Sequence, residues 1–233
     1  MKLADIIRSI FEDAAAGKLE AAMLHACTTI DKTARQLYPS EVSSGKRFKR
    51  CIRNHYWLVE PMMGVGINLL ETRFENVHID KLKDPPDLAD ILYEIHRCAH
   101  AHGDEVPPEF EFTVTSGPFG SGWELGANSL RMPDRVVWAL TAITVFSKVN
   151  HRMHGVSTPY YLTWGEEKYP LAEWWGREED IRPIAVGWNT TRVKLEGLRG
   201  LIEAADKYGS AAQEEHLLIV AAPPPTPADN SST

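Results

Sequence analysis

Apolar residues recur every three or four positions through most of the chain, which is the spacing of amphipathic helices. The first run ends near Gly17, a residue typical of helix C-termini, and the second ends before Pro39. A third run begins at Ser40 and continues to about Glu60, directly before Pro61. These boundaries predict three long helices in the first quarter of the sequence.

A further helix begins after Asp87. The preceding pair Pro85-Pro86 excludes an earlier start, and Asp87 is a suitable N-cap. Its predicted apolar stripe ends at Gly103 and consists of Leu88, Ile91, Leu92, Ile95 and Ala99. Another long apolar helix follows Pro133, and the stretch "TTRVKLEGLRGLIEAADKYG" returns to a helical period near the end of the chain.

Between these helices the period changes from helical to alternating. In "EFEFTVT", Phe110, Phe112 and Val114 alternate with polar neighbours, as in a half-buried strand. "SGPFGSG" supplies turn residues, and "WELGANSLRM" offers a second strand. The sequence therefore predicts a mainly α fold, a helical bundle of four or more long helices with an inserted β-hairpin near residues 109–131.

Composition adds the domain organisation. The chain has 233 residues, of which 43% are hydrophobic and 24% charged, so one large domain over residues 1–222 is expected. The tail 223–233 is rich in Pro and polar residues, and we expect it to be disordered. The aromatic-rich segment 159–175 is open to two interpretations, a stacking platform for bases or sugars, or a loop held to the body by its Trp and Tyr side chains.

The cysteines and the N-terminus indicate a compartment. The three cysteines are far apart and form no CxxC pair, which fits a reducing environment and argues against a disulfide framework. The first helix carries acidic residues where a signal peptide would be apolar. No apolar run approaches the roughly 20 residues that a membrane span needs. We therefore expect a cytoplasmic protein that does not cross a membrane.

Charge is unevenly distributed. The net charge is −7, yet five cations lie within eight residues on the third helix: Lys46, Arg47, Lys49, Arg50 and Arg53. A basic helix face of this kind attracts the phosphates of RNA through counterion release. The same pattern is typical of a solvated helix face whose cations pair with acidic neighbours.

The histidines are the remaining candidates for chemistry, because the chain contains no Walker-type loop, GxGxxG, GxSxG or HExxH motif. His96 and His100 have the spacing of metal ligands on one helix face, as do His151 and His154, and a carboxylate from Glu94 or Asp104 could join them. Exposed histidines at helix ends would give the same spacing. No cofactor and no metal ligand is assigned from these patterns alone.

The helix in "ILYEIHRCAHAHGDEVP" contains Arg97, four residues, and then His102. This arrangement resembles the signature of the HEPN superfamily of helical-bundle proteins, and the likeness extends over about residues 86–150. The chain departs from the usual pattern at Cys98, where active members often have Asn or Asp, and this departure bears on activity more than on fold.

The resemblance implies metal-independent RNA cleavage where two subunits of a homodimer meet. His102 would act as general acid or base, Arg97 would stabilise charge on the phosphoryl oxygens, and the basic helix would guide the RNA. On a regular α-helix, positions five apart lie ~140° apart around the axis. The catalytic interpretation therefore requires a break near residues 101–103 or a second subunit.

Two alternatives remain open at this point. One is a catalytically inactive binding or regulatory domain for nucleic acid or a partner protein, in which Arg97 contacts Tyr93, Glu94 or His100. The other is a histidine-based metal-binding protein.

Overall fold

In a computed structural model, the structure describes residues 2–63, 67–99, 103–114, 122–153, 160–164 and 167–188, followed by 194, 195, 197, 200, 202 and 217–219. These residues form a mainly helical protein with small sheets. Most of the predicted C-terminal helix, the Pro-rich tail, His100, His102 and His154 lie outside them. A helix long and apolar enough to cross a bilayer does not occur in the part of the chain that the structure describes.

The helices follow the predicted periods closely at the start of the chain. Their bounds are α1 Leu3–Ala15, α2 Leu19–Leu37, α3 Ser44–Asn54, α4 Tyr56–Met63, α5 Leu88–Ile91, α6 Arg135–Phe146, α7 Leu171–Trp174 and α8 Glu178–Trp188. α5 continues directly into a π-helix, Leu92–Arg97, and short 3-10 helices cover Pro108–Phe110 and Lys148–Met153. The prediction that α1 ends near Gly17 is confirmed, because Gly17 has a φ of 73° and follows the last turn.

One long helix was predicted up to Glu60, and the structure has two. α3 ends at Asn54, and α4 runs from Tyr56 through Pro61 to Met63. At the junction the His55 ring Nδ1 lies 2.6 Å from the Cys51 carbonyl oxygen, and the His55 amide donates to Ile52 instead. The imidazole thus occupies the carbonyl that a continuing α-helix would use.

The core is built around α2 and α6. α2 packs against α1, α3 and α6, while α4 packs between α6 and α8. α6 is buried on nearly every side, including Val136, Leu140 and Ile143, as expected of a helix that is apolar all round.

A buried polar seam joins α2 to the chain that follows α6. The hydroxyls of Thr29 and Thr144 lie 3.0 Å apart, and the Asn150 amide donates to Thr33 Oγ1 at 2.9 Å and to the Thr144 carbonyl at 2.8 Å. Gln36 Nε2 and Trp175 Nε1 donate to Asn150 oxygens at 2.7 Å each. Because buried polar groups are costly unless they are paired, this network specifies how the helices align.

The strands form two sheets. Their bounds are β1 Phe112–Thr113, β2 Trp123–Gly126, β3 Ser129–Pro133, β4 Tyr161–Trp164, β5 Glu167–Pro170 and β6 Leu217–Ile219. The first sheet has the order β1-β3-β2-β6, and β4 pairs with β5 in the second. β2 and β3 are antiparallel, whereas β1 pairs with β3 in parallel.

The pairing differs from the predicted one. Phe110 belongs to a 3-10 helix, and β1 is only two residues long and is not the antiparallel partner of the strand that follows it. "WELGANSLRM" makes both antiparallel strands by itself, because Asn128 has a φ of 55° and allows a tight connection after Gly126.

The end of this strand pair is held by the segment that precedes α5. Asn76 Nδ2 donates to the carbonyls of Gly126 at 3.1 Å and Ser129 at 2.7 Å, and the His78 amide donates to Asn128 Oδ1 at 2.9 Å. These hydrogen bonds therefore fix the connection between β2 and β3 to residues 76–78, which precede α5 in the sequence.

The aromatic segment packs into the body. Trp164, Tyr169 and Trp175 are buried, and Trp174 contacts the rings of Phe146 and Tyr169 edge-on. This burial favours the interpretation as a segment held by its aromatic side chains over that of an exposed stacking platform.

We predict that Gly176→Ala destabilises the protein by roughly 2–4 kcal/mol. Gly176 has a φ of 74°, and an added Cβ would lie 2.7 Å from His151 Cα, so backbone strain and a steric clash act together. Urea unfolding measures the change.

The control is Gly17→Ala, at a φ of 73° with no heavy atom within 4 Å of the new Cβ. It should lose only about 1 kcal/mol through strain. Equal losses for the two variants would contradict the packing at Gly176.

Candidate nucleic-acid interface

The basic segment forms α3. Ser43 caps this helix by accepting a hydrogen bond from the Lys46 amide at 3.3 Å. Phe48, Cys51 and Ile52 are buried on its inner face, which leaves the cations on the outer side. The predicted amphipathic helix is therefore present, although it is shorter than predicted.

α3 runs antiparallel to the helix formed by α5 and the π-helix, and charges meet along the contact. Arg53 binds Asp87 through Nε at 2.6 Å and Nη2 at 3.1 Å, and its Nη2 also lies 2.9 Å from Asp90. Lys49 Nζ lies 3.1 Å from Asp90 and 3.4 Å from Glu94. Two of the five predicted RNA-binding cations are thus already paired with an acidic stripe.

These pairs also hold the start of α5. The Asp87 carboxylate accepts from the Asp90 amide at 2.9 Å, and Asp90 accepts from the Asp87 amide at 3.3 Å, which completes a reciprocal cap. Burial disfavours the charged form of Asp90, but Arg53 and Lys49 outweigh burial and hold the pKa of this carboxyl below its usual value.

The remaining three cations form what we call the outer basic surface: Lys46, Arg47 and Arg50. Lys46 and Arg50 are exposed, and the Arg50 guanidinium lies 4.5 Å from the centre of the Tyr38 ring. Arg47 donates to the carbonyls of Glu41 and Val42. Since none of these contacts is with a carboxylate, the surface keeps its positive charge.

Arg97 lies at the end of the π-helix in contact with two side chains. Its Nε is 3.2 Å from Asp31 Oδ2, and its guanidinium lies 5.3 Å from the centre of the Tyr93 ring. The contact with Tyr93 was one of those expected from the sequence, and the pair with Asp31 was missed. Asp31 is 66 positions away on α2, so no local spacing could have identified it.

Tyr93 connects Arg97 to α3. Lys49 Nζ lies 5.5 Å from the centre of its ring, and Phe48 packs against it with ring centres 5.4 Å apart. Gly45 lies so close that a Cβ there would be 2.8 Å from Tyr93 Cζ. Tyr93 therefore contacts both Arg97 and the start of α3.

Burial and the neighbouring cations act on the pKa of Asp31 in opposite directions. Burial raises the pKa of this carboxyl above its usual value, although the charges of Arg97 and Arg47 act in the opposite direction. Asp31 and Arg97 are 31% and 25% exposed, so the pair is accessible from solvent.

The helix after Asp87 differs from its predicted form in one respect. The predicted stripe included Ile95, but Ile95 is only half-buried and His96 is fully buried instead, stacked on Phe112 with ring centres 5.3 Å apart. A π-helix bonds residues five apart, so the position below Ile91 is 96 rather than 95. The predicted end at Gly103 stays a prediction, because residues 100–102 lie outside the described residues; Gly103 itself has a φ of 76°, and the Asp104 amide donates to the Ala99 carbonyl at 3.0 Å.

The described residues provide no set of ligands for the predicted metal site. Within the described residues there is no group of three or more His, Cys, Asp or Glu side chains that could hold a metal ion. His96 lies in the core against Phe112, and its proposed partner His100 lies outside the described residues, as does His102, the predicted catalytic histidine.

The fold and the site together define a mainly helical protein with a basic helix paired along one side to an acidic helix. The chain belongs to the Rv1289 family, whose profile matches residues 2–198. It is 33% identical over 181 residues to the uncharacterized protein Rv1289 of Mycobacterium tuberculosis and to the uncharacterized protein Mb1320 of Mycobacterium bovis, covering 77% of this chain and 84% of each relative. No solved structure matches the chain. These names state no activity.

We predict that Arg53→Ala lowers the free energy of unfolding by about 2–3 kcal/mol, because Asp87, which is 3% exposed, loses the cation that compensates its charge. Arg50→Ala is the matched control on the same helix, and its loss of a cation–π contact should cost less than ~1 kcal/mol. Chemical denaturation compares the two variants. A cost for Arg53→Ala no larger than that for Arg50→Ala would show that the charge pairs do not hold the helices together.

Proposed function

We propose that this protein is an RNA-binding or RNA-linked regulatory protein that holds single-stranded RNA on the outer basic surface. The observation that carries the proposal is the division of the basic helix. Lys49 and Arg53 are neutralised by Asp87, Asp90 and Glu94, whereas Lys46 and Arg50 are exposed, and Arg47 is half-buried and donates to the backbone carbonyls of Glu41 and Val42.

The spacing of these cations suits a phosphate backbone. Lys46 and Arg50 are four residues apart, so they lie about 6 Å apart along the helix axis on one side of it. Cations arranged along a groove or ridge bind single strands by following the backbone, and each neutralised phosphate releases counterions. Tyr38 beneath Arg50 adds an aromatic ring at the edge of this surface.

Binding is favoured over catalysis by the state of Arg97. Its guanidinium contacts Asp31 and Tyr93, so a carboxylate already offsets part of the charge that would stabilise a phosphoryl group. In this proposal the helices form a HEPN-like bundle with the β2–β3 strands as an insertion. Three free cysteines fit action in a reducing compartment such as the cytoplasm, alone or with a partner protein.

We expect the double variant Lys46→Ala/Arg50→Ala to bind single-stranded RNA at least tenfold more weakly than the parent near 0.1 M salt. The plot of log affinity against log salt concentration should also become flatter by roughly 1.4, since two phosphate contacts are removed. Fluorescence anisotropy with a labelled RNA pool in EDTA measures both quantities.

The control is Lys168→Ala, which removes an exposed cation on β5, in the other sheet. It should leave affinity and salt dependence unchanged. The proposal fails if the parent does not bind RNA, or if both variants weaken binding equally. Tighter binding to DNA or to double-stranded RNA than to single-stranded RNA would also count against it.

The second candidate function is metal-independent cleavage of RNA by Arg97 and His102 in a homodimer. It is favoured by the φ of 76° at Gly103, which is not a helical value, because a productive arrangement of these two residues requires a break in the helix. A histidine suits this role because its ordinary pKa near 6.5 permits both acid and base behaviour.

Cleavage in excess EDTA should be abolished by His102→Asn and by Arg97→Ala if this second function holds. His78→Asn is the control, because the His78 side chain is 76% exposed and its Nε2 lies 3.1 Å from the exposed carboxylate of Asp80. If the parent binds RNA but does not cleave it, the second function is wrong and the RNA-binding function stands.

A further inference from the structure

Asp31 lies on α2, and it contacts the candidate interface through its pair with Arg97. It meets Arg97 at 3.2 Å, and both side chains are partly open to solvent. We propose that Asp31 masks Arg97 as an additional phosphate-binding group, so that the carboxylate and an RNA phosphate compete for the same guanidinium. This inference rests on the proposed RNA binding, and it identifies Asp31 as a residue that limits the affinity for RNA.

The geometry makes Arg97 an extension of the outer basic surface. Tyr93 lies against Gly45 at the start of α3 and also carries the Arg97 guanidinium at 5.3 Å from its ring centre. Arg47 of the outer basic surface is close enough to act on the charge of Asp31. Tyr93 and Asp31 therefore link Arg97 to the start of α3, where Lys46 and Arg47 lie.

The pair is suited to exchange. The hydrogen bond to Asp31 engages Nε of Arg97, whereas the fork of a guanidinium binds phosphate through two parallel N–H groups. A phosphodiester brings the same single charge as the carboxylate and can accept two such hydrogen bonds, whereas the described contact with Asp31 is a single one.

The ring of Tyr93 would keep Arg97 in place during the exchange. Stacking on an aromatic face is compatible with hydrogen bonding at the edge of the guanidinium, because the two contacts use different sides of the group. The cation therefore does not need to move far to change its anionic partner.

Asp31→Asn in the full chain tests the inference. We expect single-stranded RNA to bind roughly tenfold more tightly than to the parent, with a salt dependence steeper by about 0.7, the value for one further phosphate contact on a single strand. The probe is the labelled RNA pool in EDTA used for the outer basic surface. Asp31→Ala is the second variant in case the amide perturbs α2, since alanine favours helix.

Asp13→Asn is the matched control. Asp13 is 24% exposed, lies at the end of α1 and pairs with a basic side chain, His25, at 3.4 Å, so the change in net charge is the same. It should alter affinity by less than twofold. Adding Arg97→Ala to Asp31→Asn should remove the gain, because the new contact belongs to Arg97.

The outcomes separate the inference from the proposed function. If the parent binds RNA through Lys46 and Arg50 but Asp31→Asn gains no more than Asp13→Asn, the inference is wrong and the RNA-binding function stands. A gain that persists in the Asp31→Asn/Arg97→Ala variant also overturns the inference. If neither the parent nor Asp31→Asn binds RNA, both are wrong.

Discussion

Arg53 links two helices at the point where one of them begins. Its guanidinium binds Asp87 and Asp90, the two residues that cap α5, and Lys49 repeats the pairing one turn along the contact. The position of Tyr93, and through it that of Arg97, follows from this alignment. Without the pairs, the acidic stripe would face the basic helix with its charges only partly compensated, and the region around Arg97 would lose its fixed geometry.

The same pairing divides the cations of the basic helix into two groups. A run of five cations in sequence suggests one uniform surface, but the fold assigns them to two roles. Those on the side of α5 pair with carboxylates, while Lys46 and Arg50 on the outer side are exposed. The number of cations in the sequence therefore overstates the exposed basic surface, and only the antiparallel contact shows which residues belong to it.

The sequence predicts the elements that depend on local patterns. The end of α1 at Gly17 follows from glycine at positive φ, and the amphipathic character of α3 follows from its period. Contacts between distant segments cannot be predicted from such local patterns. The pair of Asp31 with Arg97, and the parallel pairing of β1 with β3, join residues whose separation leaves no local signal. The break at His55 depends on a side-chain contact with Cys51 that periodicity does not contain.

The π-helix at Leu92–Arg97 acts as an angular offset within an otherwise ordinary helix. Each residue of an α-helix advances by ~100°, so one additional residue in the turn rotates everything after it by about that amount. In this chain the offset brings His96 into the core and Arg97 beside Asp31. Loss of a single residue from this turn would restore the regular period and separate Arg97 from its partner, although no charged side chain had changed. The number of residues in this one turn therefore determines which side chains meet, as much as the identities of those side chains do.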